Sequence, residues 1–189
     1  MKLALLALLF SLNVFAQEVV VPVVMETSMG TIEIELYESK APKTVENFLK
    51  YVDDKFYDGT IFHRVIDGFM VQGGGMTPNM REKATRDPIQ HEGNTGLSND
   101  VGYLAMARTM DPHSATAQFF INVANNTRLN YSAPTDSGWG YVVFGKVTSG
   151  MDIVNQMKAV KTRTFAGHQN VPVDTITIKS VRRQTKKKK

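Results

Sequence analysis

The sequence predicts one mainly β domain, built as a barrel or a sandwich. Eight short segments have the apolar or alternating patterns typical of β-strands, and only two have the periodicity of an amphipathic helix. Long polar connections separate several of the strands, which is typical of antiparallel β folds. A chain of 189 residues suits one domain, and its 42% hydrophobic content is enough to form a core.

The first two strands are predicted to form a hairpin. Segment 19–27 is rich in valine, and segment 31–37 alternates, with Ile32, Ile34 and Leu36 on one face. A Ser-Met-Gly turn joins the two segments. Because successive side chains of a strand point to opposite faces, the three aliphatic residues mark the second strand as half-buried.

Two amphipathic helices are predicted. After Pro42, apolar residues recur at i, i+3, i+4 and i+7 between Val45 and Val52. Proline is favoured in the first turn of a helix, and this spacing places the apolar residues on one face. A second, shorter helix is predicted at 151–158, where Met151 and Val154 share a face.

The remaining strands are short and are separated by long connections. They are predicted at 61–66, 69–72, 102–107, 118–123, 142–147 and 173–181. The longest connections lie at 73–101, 108–117 and 124–141. Long loops in a compact domain usually carry function, so these loops are expected to contribute to a site.

The N-terminus has the pattern of a secretory signal peptide. Residues 1–16 contain Lys2, an apolar run, and then Val14 and Ala16, which are small residues at positions −3 and −1 of a cleavage site. A membrane anchor is the alternative, but the run is shorter than the roughly 20 residues that a spanning helix needs. We therefore expect cleavage before Gln17, export to the periplasm or the medium, and a mature protein without stable membrane insertion.

The basic character of the chain comes from its C-terminus. Of the 22 Lys and Arg residues, six lie in 182–189 and one is Lys2, so segment 17–181 keeps 15 basic residues against 18 acidic ones. A nucleic-acid-binding face on the domain is therefore disfavoured. We expect a domain at 17–181 followed by a basic, disordered tail at 182–189.

The sequence lacks the residues that several common types of functional site require. The chain has no cysteine, which excludes disulfides, a thiol nucleophile and thiolate metal ligands. Its four histidines never pair at i, i+4, so no metal site is predicted. Segment 140–146 spells G-x-x-x-x-G-K, but Val147 follows where a phosphate loop has Ser or Thr, and the intervening residues suit a strand. No metal or cofactor is expected.

Three segments combine aromatic, aliphatic and single polar residues: 62–74, 118–123 and 140–147. In a regular strand Phe62, Arg64 and Ile66 share one face, and Phe120 shares a face with Gln118 and Asn122. An arginine among apolar neighbours is costly unless it is paired or used. A surface arginine with a buried stem would give the same pattern, so the spacing alone leaves both roles open.

These segments resemble the motifs of cyclophilin-type peptidyl-prolyl cis–trans isomerases. Segment 62–74 reads F-H-R-V-I-D-G-F-M-V-Q-G-G, segment 117–121 reads A-Q-F-F-I, and 142–147 reads V-V-F-G-K-V. The similarity extends over about 23–181, and with the leader it favours the bacterial periplasmic branch. The resemblance implies a closed eight-stranded antiparallel β-barrel capped by two α-helices.

The resemblance also implies the roles of individual residues. Arg64, Gln72 and Phe120 would be catalytic, with Arg64 as the main group and Gln72 orienting it. The residues implied for substrate binding are Phe69, Met70, Ala107, Arg108, Gln118, Leu129 and Tyr141.

Three positions depart from the common pattern of the family. Arg128 stands where many members have a tryptophan that contacts cyclosporin, so weak binding of that drug is expected. Tyr141 stands where the family often has a histidine, and Gly75 where it usually has an aspartate.

The expected function is isomerisation of X–Pro bonds in exported polypeptides, which assists their folding. The expected partners are proline-containing unfolded or flexible chains, and the protein is expected to be a monomer. A non-catalytic proline-peptide binding module, or a holdase chaperone, is the alternative, because it would need the same pocket without Arg64 at the twisted amide.

Overall fold

Eight antiparallel strands close into a barrel in the computed structural model, which describes residues 18–184. The elements are β1 Val20–Thr27, β2 Thr31–Tyr37, α1 Pro42–Asp53, β3 Ile61–Ile66, β4 Met70–Met76, β5 Tyr103–Met106, β6 Phe119–Asn122, β7 Val143–Ser149, α2 Met151–Lys158, β8 Thr162–Phe165, β9 His168–Pro172 and β10 Ile176–Arg183. Around the barrel the order is β1-β10-β3-β4-β6-β5-β7-β2. This closure decides between barrel and sandwich, and the predicted eight barrel strands and two helices are confirmed.

The hairpin of β8 and β9 was not predicted. Every residue of β8 is exposed, and only Val171 and Pro172 of β9 are buried. A hairpin that lies outside the barrel needs no alternating apolar face, so its sequence carries no strand pattern. No helix within residues 18–184 is both long and apolar enough to cross a membrane.

The last strand runs two residues past the predicted end of the domain. Arg182 and Arg183 belong to β10 and pair with β1, so a disordered tail beginning at residue 182 is wrong at these two positions. Their guanidinium groups bind Asp58 and Asp53, with N···O distances of 2.5 and 2.6 Å. A run of like charges predicts disorder only where no partner carboxylates lie opposite it. The predicted leader at 1–16 and tail residues 185–189 lie outside the described residues.

Aromatic side chains fill the centre of the barrel. Phe48 of α1 enters the interior, where its ring centroid lies 5.0 Å from Tyr57, 5.6 Å from Phe119 and 5.3 Å from Phe144. All four residues are fully buried. Burial of one such side chain contributes roughly 2–3 kcal/mol, so this cluster fixes α1 against the sheet.

The N-terminus of α1 is capped by a residue 48 positions away. Ala41, at the N-cap position, has no side chain that can accept a hydrogen bond. The Glu92 carboxylate instead accepts from the backbone N–H groups of Lys43, at 2.9 Å, and Thr44, at 2.8 Å. It also accepts from the Thr44 hydroxyl. A negative charge there satisfies free donors and faces the positive end of the helix dipole.

We expect Glu92→Ala to lower the free energy of unfolding by about 1–2 kcal/mol, because two backbone donors lose their acceptor. The control is Glu46→Ala on the same helix, which removes only the exposed pair with Lys50 and should cost less than about 0.5 kcal/mol. Urea denaturation measures both changes. A loss at Glu92 no larger than that at Glu46 would contradict the capping role.

Candidate active site

A bulge in β3 decides which way Arg64 points. Phe62 pairs with Gly73 and Arg64 with Gln72, so His63 has no partner in the ladder of β4. The extra residue shifts the alternation, and Phe62 and Val65 both reach the barrel interior. The prediction that Phe62 shares a face with Arg64 and Ile66 is therefore wrong. The bulge places Arg64 on the outer face of the sheet.

The glycines after Gln72 extend β4 beyond its predicted end. Gly74 has φ +85°, and a Cβ there would lie 2.6 Å from the Phe119 ring. At Gly75 a Cβ would lie 2.4 Å from Cγ of Gln118. These close approaches explain glycine at both positions of the strand. The Gln118 side chain occupies the space that a larger residue would fill.

Nine of the ten predicted site residues surround one cavity of about 170 Å³ on the outer face of the barrel. Met70 and Phe120 are buried, and Ala105 and Val143 pack against them in one apolar cluster. The complete lining is Arg64, Phe69, Met70, Gln72, Ala107, Arg108, Phe120, Leu129 and Tyr141. A cavity with an apolar floor and polar groups at its edge can hold a small ring beside a polar group.

Gln118, the tenth residue, lies next to this cavity. It lines a larger groove of about 660 Å³, which shares Gln72, Ala107 and Arg108 with the cavity. The two depressions therefore form one continuous surface, on which an extended chain could place one residue in the cavity and its neighbours in the groove.

Arg64 is half-buried and is held by an amide. Its Nη1 donates to Oε1 of Gln72 at 3.2 Å. Within residues 18–184 no carboxylate forms an ion pair with it. Its charge is therefore not neutralised by a neighbour, and its remaining donors can reach a ligand.

Arg108 braces a loop as well as lining the cavity. Its Nε donates to the carbonyl oxygen of Gly140 at 2.8 Å, and its guanidinium carbon lies 4.8 Å from the centroid of the Tyr141 ring. Tyr141 in turn meets Phe120 edge to face at 5.5 Å. These contacts hold Tyr141 at the rim, a role of Arg108 that the sequence did not indicate.

A buried network of asparagines, also not predicted, fixes two walls of the cavity. The Asn126 amide donates to the Phe69 carbonyl at 2.8 Å and to Oδ1 of Asn122 at 2.7 Å. Asn99 donates to the Leu129 carbonyl at 3.1 Å. The sequence pattern indicates only that Asn122 shares a face with Phe120, and nothing in it indicates the hydrogen bonds among the asparagines.

Arg128 lies beside the cavity on a short 3₁₀ turn, Thr127–Leu129. Its guanidinium carbon stands 5.1 Å from the centroid of the Phe69 ring. The position therefore presents a stacked cation where many family members have an indole. Weak binding of cyclosporin stays a prediction.

His63, at the bulge, is 5% exposed and its Nδ1 has no hydrogen-bond partner. Burial lowers the pKa of its imidazole to about 4, and the nearby His168 and Arg64 add to the effect. The His63 ring is therefore neutral near pH 7, so of these two neighbouring residues only Arg64 carries a charge. No group of three His, Asp or Glu side chains within residues 18–184 is placed to hold a metal ion.

The chain matches one protein family over nearly all of the described residues. The profile described as "Cyclophilin type peptidyl-prolyl cis-trans isomerase/CLD" matches residues 22–183, a range that contains all ten predicted site residues. A peptidyl-prolyl cis-trans isomerase of Streptomyces antibioticus is 58% identical over 158 residues, covering 84% of this chain and 95% of the relative. Peptidyl-prolyl cis-trans isomerase B of Escherichia coli (strain K12) is 54% identical over 159 residues, covering 84% and 97%.

A solved structure has the same fold. It is a Cryptosporidium parvum cyclophilin type peptidyl-prolyl cis-trans isomerase, crystallised in the presence of the dipeptide Ala-Pro. The TM-score is 0.74 at 29% identity, and the match covers 87% of this chain and 99% of that one.

We expect the stability of the protein to fall as the pH is lowered from about 6.5 to 4 because of His63. The buried ring stays neutral in the folded state, while the unfolded chain takes up a proton near pH 6.5, so stability present above that pH is lost below it. The loss should approach about 3 kcal/mol, since one pKa unit corresponds to about 1.4 kcal/mol. His63→Gln should remove this part of the pH dependence, and the exposed His168→Gln, which takes away only a smaller cause of the shift, should keep most of it. Parallel curves for wild type and His63→Gln in urea denaturation would contradict the assignment.

Proposed function

Since this chain belongs to the cyclophilin family of peptidyl-prolyl cis–trans isomerases, and is therefore an enzyme that isomerises X–Pro bonds, we propose that Arg64 drives its catalysis by stabilising the twisted amide. The observation that carries this proposal is the position of the Arg64 guanidinium. Arg64 stands beside the apolar floor of the cavity, oriented by Gln72 and without a carboxylate partner among the described residues.

Amide chemistry explains why an arginine suits the reaction. Rotation about a peptide C–N bond costs about 18–20 kcal/mol because resonance is lost, and uncatalysed X–Pro exchange takes roughly tens to hundreds of seconds. In the twisted state the prolyl nitrogen regains a lone pair. A donor aimed at that nitrogen stabilises the twisted state more than either planar state, which is the requirement for catalysis. Arginine stays charged and offers a rigid set of donors.

The cavity supplies the other half of the mechanism. Met70 and Phe120 form an apolar floor for the prolyl ring, while the acyl side of the bond stays free to rotate in the groove. The same surface excludes water that would compete for the amide. An acceleration of about 10⁴ to 10⁵ needs roughly 5.5–7 kcal/mol. One charge-assisted hydrogen bond together with positioning and desolvation accounts for that amount.

The clients in this proposal are exported polypeptides that contain proline. Crystallisation of the related protein in the presence of Ala-Pro supports a proline ligand, and the leader pattern at 1–16 supports export. The enzyme would act on chains that fold after crossing the membrane, where slow X–Pro exchange limits folding. We place it in the periplasm, as a monomer.

We expect Arg64→Ala to lower kcat/KM by about 10²–10³-fold on a short Ala-Pro peptide, because the twisted state loses its donor. Binding of the planar peptide should change far less, since the apolar floor formed by Met70 and Phe120 stays intact. Arg86→Ala is the control, because this exposed arginine pairs with Asp54 and lines neither the cavity nor the groove. Exchange spectroscopy by NMR measures rate and affinity together. Full activity in Arg64→Ala would overturn the mechanism, and peptide binding without catalysis in wild type would favour a binding module.

We expect the full chain, produced in a Gram-negative host, to accumulate in the periplasm with Gln17 as its first residue. Leu6→Arg, which breaks the apolar run, should leave the precursor uncleaved inside the cell. Intact mass and cell fractionation test both outcomes. A soluble wild-type protein that still begins at Met1 would contradict export.

A further inference from the structure

A chain of hydrogen bonds leads from Arg64 to a carboxylate outside the cavity. Arg64 donates to Oε1 of Gln72 at 3.2 Å, and Nε2 of Gln72 donates to Oε1 of Gln118 at 3.0 Å. Nε2 of Gln118 then donates to the Glu82 carboxylate at 3.1 Å. Every bond in the chain therefore runs in one direction, from the guanidinium to the carboxylate.

The two ends of this chain determine its direction. A carboxylate can only accept and a guanidinium can only donate, whereas a glutamine amide has one end of each kind. With Glu82 as acceptor, Gln118 must turn its NH₂ group outward and its oxygen toward Gln72. Gln72 must then turn its own oxygen toward Arg64. Without an acceptor at the far end both amides could reverse, and an NH₂ group would face the guanidinium.

Backbone contacts hold Glu82 at the end of the chain. Glu82 pairs with Met76 at the end of β4, and the N–H of Lys83 donates to the Gly75 carbonyl at 2.9 Å. The Lys83 ammonium bonds to the carbonyl oxygen of Phe56 and lies 4.6 Å from the centroid of that ring. The loop that carries Glu82 is therefore fastened on both sides of this residue.

Gly75 leaves the space that the Gln118 side chain needs to take part in this series of hydrogen bonds. A Cβ at this position would lie 2.4 Å from Cγ and 2.9 Å from Nε2 of Gln118. The absence of a side chain at Gly75 lets Gln118 lie across the strand between Gln72 and Glu82. The same residue thus accepts the bond from Lys83 and leaves space for the amide that Glu82 orients.

We propose that Glu82 is a positioning residue for Arg64, whose carboxylate fixes the orientation of the Gln118 and Gln72 amides and so presents an acceptor to the guanidinium. The proposal rests on the catalytic role of Arg64 given above. Glu82 does not line the cavity, although it lies at the adjoining groove, and we assign its effect on kcat to the two amides.

The test compares kcat for X–Pro exchange among variants that change the polarity at position 82. Glu82→Lys replaces the acceptor with a donor, reverses both amides and should lower kcat by about ten-fold. Glu82→Gln can still accept but no longer fixes the direction, and it should lower kcat by about three-fold. Asp87→Asn, on the same exposed loop but outside the chain of bonds, should leave kcat unchanged.

A variant that retains the acceptor at position 82 distinguishes orientation of the two amides from a structural role in the loop. Glu82→Asp keeps a carboxylate that can accept from Gln118, so kcat should stay within about two-fold of wild type. Melting temperatures should not differ among these variants, since Glu82 is exposed. An unchanged kcat in Glu82→Lys, or a Glu82→Asp variant no better than Glu82→Gln, would overturn the proposal.

A second background distinguishes this proposal from the one on which it rests. In Arg64→Ala, adding Glu82→Lys should cause no further loss, because the amides then orient nothing. A further loss of the same size would show that Glu82 acts without Arg64 and would overturn the positioning role. Full activity in Arg64→Ala alone would instead refute the catalytic role of Arg64.

Discussion

The register shift between β3 and β4 is the constraint on which the site depends. One unpaired residue, His63, lets Phe62 fill the barrel and Arg64 leave it, although the two are only two positions apart. In a regular strand they would share a face, and a guanidinium could not lie in a dry aromatic core. The bulge thus allows one short strand to serve both the core and the cavity, and it sets Arg64 directly opposite Gln72.

Around Arg64 the protein uses amides and neutral rings where carboxylates would have quenched the charge. Gln72 and Gln118 orient the guanidinium without neutralising it, and the carboxylate of Glu82 stands two hydrogen bonds away from Gln72. His63 is kept neutral by burial, which lowers its pKa. The charge of Arg64 therefore stays un-neutralised beside an apolar floor, where a developing lone pair would feel it strongly.

Hydrophobic periodicity and sequence motifs were enough to predict the buried faces of strands and helices and most of the site residues. The alternation of Ile32, Ile34 and Leu36, and the helical spacing from Val45 to Val52, correspond to buried faces in the structure. Nine site residues implied by the resemblance surround one cavity.

The bulge at His63, the Glu92 cap and the path from Gln118 to Glu82 were not predicted. The Glu92 cap and the path to Glu82 join segments far apart in the sequence, and the bulge depends on how β3 pairs with β4, which no local spacing shows. The exposed hairpin β8–β9 lacked an apolar face, and Arg182 and Arg183 resembled a tail because their carboxylate partners lie far away in the sequence.

The central claim is that this site binds the twisted amide more tightly than the planar one, and that Arg64 makes the difference. The most direct measurement compares the affinity of a planar Ala-Pro peptide with that of a matched peptide whose prolyl amide is replaced by a non-planar mimic carrying a basic nitrogen. Titration calorimetry on the mature protein gives both values. Selective binding of the mimic by about a hundred-fold or more, lost in Arg64→Ala, is the result that the account predicts. Equal affinity for the two ligands, or a preference that survives without Arg64, would contradict it.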